Sequence, residues 1–196
     1  AFADVDVAIE AVVESLEVKR AIFAEMEKAC TKDGAVLCSN TSTLDIDAIA
    51  AGVQDTANRS RVAGAHFFSP ANVMKLLEVV HGSESSAATV ARLMGLGKQL
   101  KKVPVLAGSC FGFIGNRMLE GYGQEAGYLV EEGCSPQEVD AALFEFGMAM
   151  GFFAMSDLAG TDVGLLVRKE KPPALHTPPG RRYPAILDTV PSLGFF

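Results

Sequence analysis

Apolar runs and helical periodicity alternate along residues 5–106 of the chain. The short apolar runs predict strands at 5–13 (a run that Asp6 and Glu10 interrupt), 35–38, 61–67, 76–80 and 102–106. Between them, apolar residues recur with helical spacing, which predicts helices at 46–51, at 85–100 and after a candidate N-cap at Ser15. Strands that alternate with helices indicate βαβ units and a mostly parallel sheet.

The first predicted helix has one face on which apolar residues lie four positions apart: Val18, Ile22, Met26 and Cys30.

After residue 108 only helical patterns remain. Long helices are predicted over 111–132, 136–146 and 156–169, and the proline-rich stretch 171–184 is predicted to be an irregular connector. The fold class is therefore α/β in the first part and all-helical in the second. We place the boundary after residue 107, which gives the domains 1–107 and 108–196.

Composition excludes several functions. The net charge is −7 at pH 7, whereas nucleic-acid binding needs a surplus of Lys and Arg, so we expect no nucleic-acid partner. The four cysteines form no C-x-x-C motif and predict reduced thiols of an intracellular protein, without a metal site. The longest apolar stretch, 143–155, contains Glu145 and is too short for a membrane span. The chain starts without Met or a signal-like stretch, so we expect its true N-terminus to lie upstream.

His66 and Glu78 are the first candidates for chemistry. Glu78 lies in the apolar run Lys75-Leu-Leu-Glu-Val-Val80, and a buried ionised group without a partner is costly. His66, in Gly64-Ala-His-Phe-Phe-Ser-Pro70, would supply that partner and would be held in one tautomer, as a general base requires. From these residues alone a structural pair is favoured over a catalytic one, and both interpretations stay open.

A sheet of this kind raises the question of a dinucleotide cofactor, whose G-x-G-x-x-G/A fingerprint lies between a strand and a helix. The chain has one formal match, Gly121-Tyr-Gly-Gln-Glu-Ala126. This match lies inside a predicted helix, so its amides cannot hold a pyrophosphate. If the chain belongs to a dinucleotide-binding domain, we expect the first βαβ half to lie outside it.

Five segments with recognisable motifs follow one another along the chain. They are Ala11-Val-Val-Glu-Ser-Leu-Glu-Val-Lys-Arg20, Ser39-Asn-Thr-Ser-Thr-Leu44, His66-Phe-Phe-Ser-Pro70, Val73-Met-Lys-Leu-Leu-Glu-Val79 and Gly112-Phe-Ile-Gly-Asn-Arg-Met118. Together they are similar to L-3-hydroxyacyl-CoA dehydrogenases. Three later segments are Glu131-Glu-Gly133, Phe146-Gly-Met-Ala-Met-Gly151 and Asp157-Leu-Ala-Gly-Thr-Asp-Val-Gly164. These most resemble the dehydrogenase part of multifunctional, peroxisomal-type β-oxidation enzymes, which carry an enoyl-CoA hydratase module upstream.

The resemblance implies a fold and a set of catalytic residues. The fold would be an incomplete Rossmann-like parallel sheet, the second part of an NAD-binding domain, followed by an incomplete helical C-terminal domain. His66 matches the family's general acid/base, and Glu78 matches the carboxylate that orients it. Ser42 and Asn116 match residues that hydrogen-bond the substrate near its reacting oxygen, although each also fits a helix-capping role.

The resemblance implies NAD as the cofactor. Lys19 matches a basic residue near it, but a solvated lysine on a helix fits the sequence nearly as well. The histidines His81 and His176 match no motif and are expected to be structural or exposed. The matched cofactor-binding positions are Val12, Val13, Glu14, Lys19, Ser42 and Ser69.

We therefore expect NAD-dependent oxidation of an L-3-hydroxyacyl-CoA to the 3-ketoacyl-CoA in fatty-acid β-oxidation. The alternatives are a non-catalytic fragment or scaffold module of a β-oxidation complex, and a related β-hydroxyacid dehydrogenase. The expected partners are the acyl-CoA substrate and either a second copy in a homodimer or an upstream hydratase module. The expected location is peroxisomal in a eukaryote and cytoplasmic in a bacterium. Phe152 and Thr161 depart from the family pattern and concern the packing of the helical part.

Overall fold

The computed structural model describes residues 2–171 and 182–193. It divides into two compact units, Ala1–Asn116 and Arg117–Phe196. The boundary after residue 107 stays a prediction from the sequence. Residue His176 and most of the predicted connector 171–184 lie outside the described residues.

The first unit is built on one five-stranded sheet. Its strands are β1 (Val7–Glu10), β2 (Val36–Ser39), β3 (Val62–Phe67), β4 (Leu76–His81) and β5 (Val103–Gly108), in the order β1-β2-β3-β4-β5. Neighbouring strands pair in parallel except β3 and β4, which pair antiparallel. The predicted mostly parallel sheet is confirmed.

Helices cover both faces of this sheet. They are α1 (Leu16–Ala29), α2 (Ile46–Ala50) and α3 (Ala87–Gln99), with a 3-10 helix at Thr56–Arg61. One buried cluster joins Leu37 of β2 to α1 and α2, and a second joins its neighbours Val36 and Cys38 to Leu93 of α3. Because successive strand residues enter different clusters, both faces are buried, which explains why β2 and β3 read as continuous apolar runs.

Helix α1 buries only part of the predicted face: Cys30, just after its end, is buried and Met26 packs against the core. Its buried residues are Lys19 and Phe23, whereas Val18 is exposed. Ser15 is the N-cap, as expected from its position, but its side chain makes no capping hydrogen bond. Because residue 19 is a lysine, the spacing of apolar residues does not identify it as a buried position.

The second unit is helical. Its helices are α4 (Gly115–Glu131, of which the first two residues belong to the first unit), α5 (Pro136–Phe146), α6 (Phe152–Ala159), α7 (Thr161–Glu170) and α8 (Ile186–Ser192). The predicted single helix 156–169 is wrong: Gly160, with φ +93°, separates α6 from α7. The predicted start at 111 is also wrong, because Gly112 and Phe113 have positive φ and α4 begins only at Gly115. The all-helical fold class of this part is confirmed.

Phe152, which departs from the family pattern, has a defined place within the second unit. Its ring packs edge-on against Tyr122, with 5.7 Å between ring centroids. Residue 123 is glycine, and a Cβ there would lie 2.5 and 2.7 Å from the Phe152 ring. The small residue in α4 therefore makes room for the larger ring.

Across residues 2–171 and 182–193, no helix is both long and apolar enough to cross a bilayer. The same residues hold no cluster of three or more His, Cys, Asp or Glu side chains suited to a metal ion.

Candidate active site

His66 and Glu78 lie side by side in the sheet. They are directly opposite each other in the antiparallel β3–β4 pair, so their side chains point to the same face. His66 is 5 % exposed and Glu78 is fully buried. Glu78 Oε2 lies 2.7 Å from His66 Nδ1. The buried carboxylate therefore has the imidazole partner that the sequence called for.

The second oxygen of Glu78 binds the backbone at the start of α4. Its Oε1 accepts hydrogen bonds from the amides of Ile114 and Gly115, at 3.0 and 2.8 Å. These two bonds and the bond from His66 stabilise the charged carboxylate inside the protein. Asn116, the next candidate residue, is half-buried in the first turn of α4. Glu78 thus links the imidazole to the segment that carries Asn116.

The pairing fixes the tautomer of His66. A carboxylate only accepts hydrogen bonds, so Nδ1 must donate, and the neutral imidazole then has its lone pair on Nε2. The ring lies against two aromatic side chains, with 4.4 Å to the Phe68 centroid and 5.7 Å to the Phe113 centroid. An imidazole held this way can take or give a proton at Nε2.

A second buried ionic group lies where β1 and β2 end. Lys19 Nζ donates to Glu10 Oε1 at 2.6 Å, and both side chains are 1 % exposed. Glu10 also accepts from the amide of Val12, at 2.8 Å, and from the hydroxyl of Ser39, at 2.7 Å. The interpretation of Lys19 as a solvated lysine is wrong. Glu10 was not a candidate, although it interrupts an apolar run just as Glu78 does.

Glu14 joins the loop after β1 to the loop after β2. Its Oε1 accepts from the hydroxyl of Thr41 and from the amide of Ser42, the latter at 3.0 Å, and its Oε2 lies 3.3 Å from Lys19 Nζ. Burial raises the pKa of Glu14, but the Thr41 hydroxyl, the Lys19 charge and the Ser42 amide together bring it below its ordinary value. Glu14 is therefore a carboxylate at neutral pH and holds the loop that carries Ser42.

The capping role considered for Ser42 is wrong. The N-cap of α2 is Asp45, whose side chain accepts from the amide of Asp47. Ser42 is half-buried in the loop between β2 and α2. Another residue of this loop, Asn40, accepts from the amide of Phe67 at 2.8 Å and so ties the end of β2 to the residue after His66. Nothing in the one-dimensional pattern distinguished Asn40 from an ordinary loop residue.

The remaining candidate, Ser69, is exposed, and so is His81, which was expected to be structural or exposed. Ser69 lies three residues beyond His66, at a cis Ser69-Pro70 bond. His81 ends β4, where its Nδ1 lies 3.2 Å from the carbonyl of Gly82.

The residues at the carboxyl ends of β1 and β2 fit the nicotinamide part of NAD. Val12 and Val13 lie just beyond β1, after Ala11, and are 43 % and 68 % exposed although they are apolar. Ligands of parallel α/β sheets bind outside the carboxyl ends of the strands. Exposed valines beside the Glu14 carboxylate and the Ser42 hydroxyl suit a flat ring with a polar carboxamide. The formal match at 121–126 lies inside α4, as predicted, and does not fit a pyrophosphate.

Comparison with known proteins gives two family matches. Residues 1–110 match the 3-hydroxyacyl-CoA dehydrogenase, NAD binding domain, and residues 112–194 match the 3-hydroxyacyl-CoA dehydrogenase, C-terminal domain. The peroxisomal bifunctional enzyme of Danio rerio is 50% identical over 98% of this chain. The peroxisomal fatty acid beta-oxidation multifunctional protein MFP2 of Arabidopsis thaliana is 46% identical over 84% of it. The chain spans 28% and 22% of the lengths of these two relatives.

A solved structure gives the same result. The 3-hydroxybutyryl-CoA dehydrogenase of Escherichia coli is 38% identical, with a TM-score of 0.88 over 98% of this chain and 40% of its own. The likeness to the dehydrogenase part of multifunctional enzymes, stated from the sequence, is confirmed. Because the two family matches follow one another along nearly the whole chain, the protein belongs to the 3-hydroxyacyl-CoA dehydrogenase family.

Proposed function

We propose that this chain supplies the catalytic residues for NAD-dependent oxidation of an L-3-hydroxyacyl-CoA to the 3-ketoacyl-CoA, a step of fatty-acid β-oxidation. The observation that carries the proposal is the His66–Glu78 pair, in which a buried carboxylate fixes the imidazole proton on Nδ1. A histidine held in this tautomer is suited to remove the proton from a hydroxyl group.

In the proposed reaction, His66 Nε2 takes the proton of the substrate's 3-hydroxyl group. NAD, when bound, supplies the acceptor for the hydride that leaves the same carbon. The imidazole becomes positively charged, and the carboxylate of Glu78, 2.7 Å away, stabilises that charge. Ser42 and Asn116 hydrogen-bond the substrate near its reacting oxygen, and both are half-buried rather than enclosed.

For cofactor binding, Val12, Val13 and Glu14 form the proposed contact with the nicotinamide, together with Ser42 and the exposed Ser69. Lys19 matches a basic residue near the cofactor, and its proposed action there is indirect. Its amine is buried between the carboxylates of Glu10 and Glu14, at 2.6 and 3.3 Å, so we propose that it acts on the cofactor through Glu14.

The names of the relatives support a location and partners. Because the matched proteins are peroxisomal enzymes called bifunctional or multifunctional, we propose a peroxisomal location if the source is a eukaryote. We propose the family's domain order, with an enoyl-CoA hydratase module upstream, and a homodimer as the alternative partner arrangement.

The function is tested by following NADH consumption by the full-length protein with acetoacetyl-CoA as substrate. We expect turnover with this substrate and none with a 3-keto acid that lacks CoA. Turnover of the free acid alone would favour a β-hydroxyacid dehydrogenase. A folded protein that turns over no 3-ketoacyl-CoA would contradict the enzymatic proposal and favour a scaffold module.

Glu78→Gln and Glu78→Ala separate two functions of Glu78: it fixes the tautomer of His66, and it accepts hydrogen bonds from the amides of Ile114 and Gly115. The Gln side chain can still accept from Ile114 and Gly115 through its oxygen, but its NH₂ group donates to His66 Nδ1 and forces the proton onto Nε2. We expect kcat to fall on the order of 10²-fold in Glu78→Gln, with a stability loss of about 1 kcal/mol. Glu78→Ala also loses both bonds to the backbone amides, so we expect its stability to fall by about 2–3 kcal/mol.

Steady-state kinetics and urea unfolding measure these effects. Wild-type kcat in Glu78→Gln would show that the tautomer is irrelevant to the reaction. Equal stability losses in the two variants would show that the bonds to Ile114 and Gly115 contribute nothing.

A further inference from the structure

Two successive residues of the turn before α4 have left-handed backbone. Gly112 has φ +73° and Phe113 has φ +46°. This conformation suits glycine but is disfavoured for a residue with a bulky side chain, which keeps it only where its surroundings hold it. Phe113 is fully buried and belongs to the cluster that contains Phe23 and Leu37. The core therefore holds Phe113 in this conformation.

The turn directs two amides at one carboxylate oxygen. Ile114 and Gly115 follow it, and their N–H groups donate to Glu78 Oε1 at 3.0 and 2.8 Å. Successive amides aligned by such a turn form a concave anion site, and here the anion is the protein's own carboxylate. Since the backbone takes Oε1, the other oxygen, Oε2, is the one that bonds His66.

Residue 115 must be small for the backbone to come this close. A Cβ there would lie 2.7 and 3.0 Å from the Phe68 ring and 3.6 Å from Glu78 Oε1. Phe68 also contacts the imidazole, with 4.4 Å between centroids, and Phe113 contacts it from 5.7 Å. The turn and His66 therefore share their aromatic neighbours. A shift of the turn would reach the imidazole through these rings and also through Glu78.

We propose that the Gly112-Phe113 turn is a positioning element for the His66–Glu78 pair, because it anchors Glu78 Oε1, holds Oε2 at 2.7 Å from His66 Nδ1 and so keeps the imidazole proton on Nδ1. The inference rests on the proposed role of His66 as the acid/base. Gly112 and Phe113 touch neither substrate nor cofactor in this scheme and act through Glu78 and the imidazole.

Gly112→Ala tests the proposal, since alanine strains a turn in which φ is +73° and leaves both side chains of the pair unchanged. We expect kcat to fall at least ~10-fold, while KM for acetoacetyl-CoA changes less than about 2-fold. We also expect the ¹⁵N NMR shifts of the His66 ring to change from one tautomer to a mixture. The sequence has three histidines, so the His66 signals can be assigned with His81→Ala and His66→Ala variants.

Gly133→Ala is the matched control. Gly133 also has positive φ, +112°, and a Cβ there meets nothing within 4 Å, so the strain is comparable but remote from the pair. Phe113→Leu keeps an apolar side chain in the core and should lower kcat about 3-fold or more.

Equal kcat losses in Gly112→Ala and Gly133→Ala would overturn the proposal. A wild-type tautomer in both Gly112→Ala and Phe113→Leu would overturn it too, and this second variant serves where Gly112→Ala does not fold. These results differ from a failure of the proposed function, which would appear as wild-type turnover in His66→Ala.

Discussion

Replacement of His66 by Ala is expected to lower kcat by between ~10²-fold and ~10⁴-fold, because the Nε2 lone pair that receives the substrate proton is lost. The affinity for NADH, measured by titration of its fluorescence, should change little, since the imidazole is buried and bonded to Glu78 rather than to the exposed loop at Val12 and Val13. A loss confined to kcat would show an interaction made in the transition state.

His66→Asn is the sharper variant of the same test. The NH₂ group of Asn occupies roughly the place of Nδ1, so it can still donate to Glu78, but it offers nothing at the place of Nε2. We expect kcat as low as in His66→Ala, with a smaller loss of stability. His81→Ala, at an exposed position, is the control and should keep wild-type kcat. Full activity of His66→Asn would mean that another group is the base.

Lys19→Met is expected to destabilise the protein by about 3–5 kcal/mol, because it leaves the carboxylate of Glu10 buried without its counter-charge. Against a typical total stability of about 5–15 kcal/mol, this loss is large. The double variant Lys19→Met with Glu10→Gln removes the charges of Lys19 and Glu10 and should recover much of this loss, since the two new side chains are neutral and close to isosteric. Glu14, which also faces Lys19, stays charged but keeps its bonds to the Thr41 hydroxyl and the Ser42 amide.

Urea unfolding of the single and double variants measures the coupling between Lys19 and Glu10. Lys28→Met is the control: Lys28 also pairs with a glutamate, Glu25, but both side chains are exposed, so the unfolding midpoint should stay unchanged. A Lys19→Met midpoint equal to that of Lys28→Met would show that the buried pair contributes no net stability.

The strands and their order of appearance could be predicted because burial on both faces produces continuous apolar runs. Ala35 to Cys38 is such a run, and β2 lies there. The antiparallel direction of β4 could not be predicted, since direction depends on the connection and not on apolar content. That direction is what places Glu78 opposite His66.

The site was predicted in part, through a carboxylate that lies among apolar residues. The same signal marks Glu10, which interrupts the first apolar run and is as deeply buried as its partner Lys19. The burial of Lys19 could not be predicted from the sequence, because a lysine in a helix is usually exposed to solvent. Partners such as Asn40 and Phe67 are separated along the chain and meet only through strand pairing.

The late start of α4 and the break between α6 and α7 were not predicted, because each occurs at a glycine within a helical pattern. Gly112 and Gly160 stand inside patterns that otherwise fit helices, and a glycine costs a helix only about 1 kcal/mol. Whether it ends a helix is decided by packing. At Phe113, the buried ring favours the turn.

The direct opposition of His66 and Glu78 also protects the fold against misalignment. Slippage of β4 by one residue along β3 would turn Glu78 to the other face of the sheet, into the cluster where Leu77, Val79 and Leu93 pack. A charge there would have neither the imidazole nor the two amides as partners. A misaligned molecule would therefore be unstable as well as inactive, so cellular quality control would remove the same molecules that cannot catalyse.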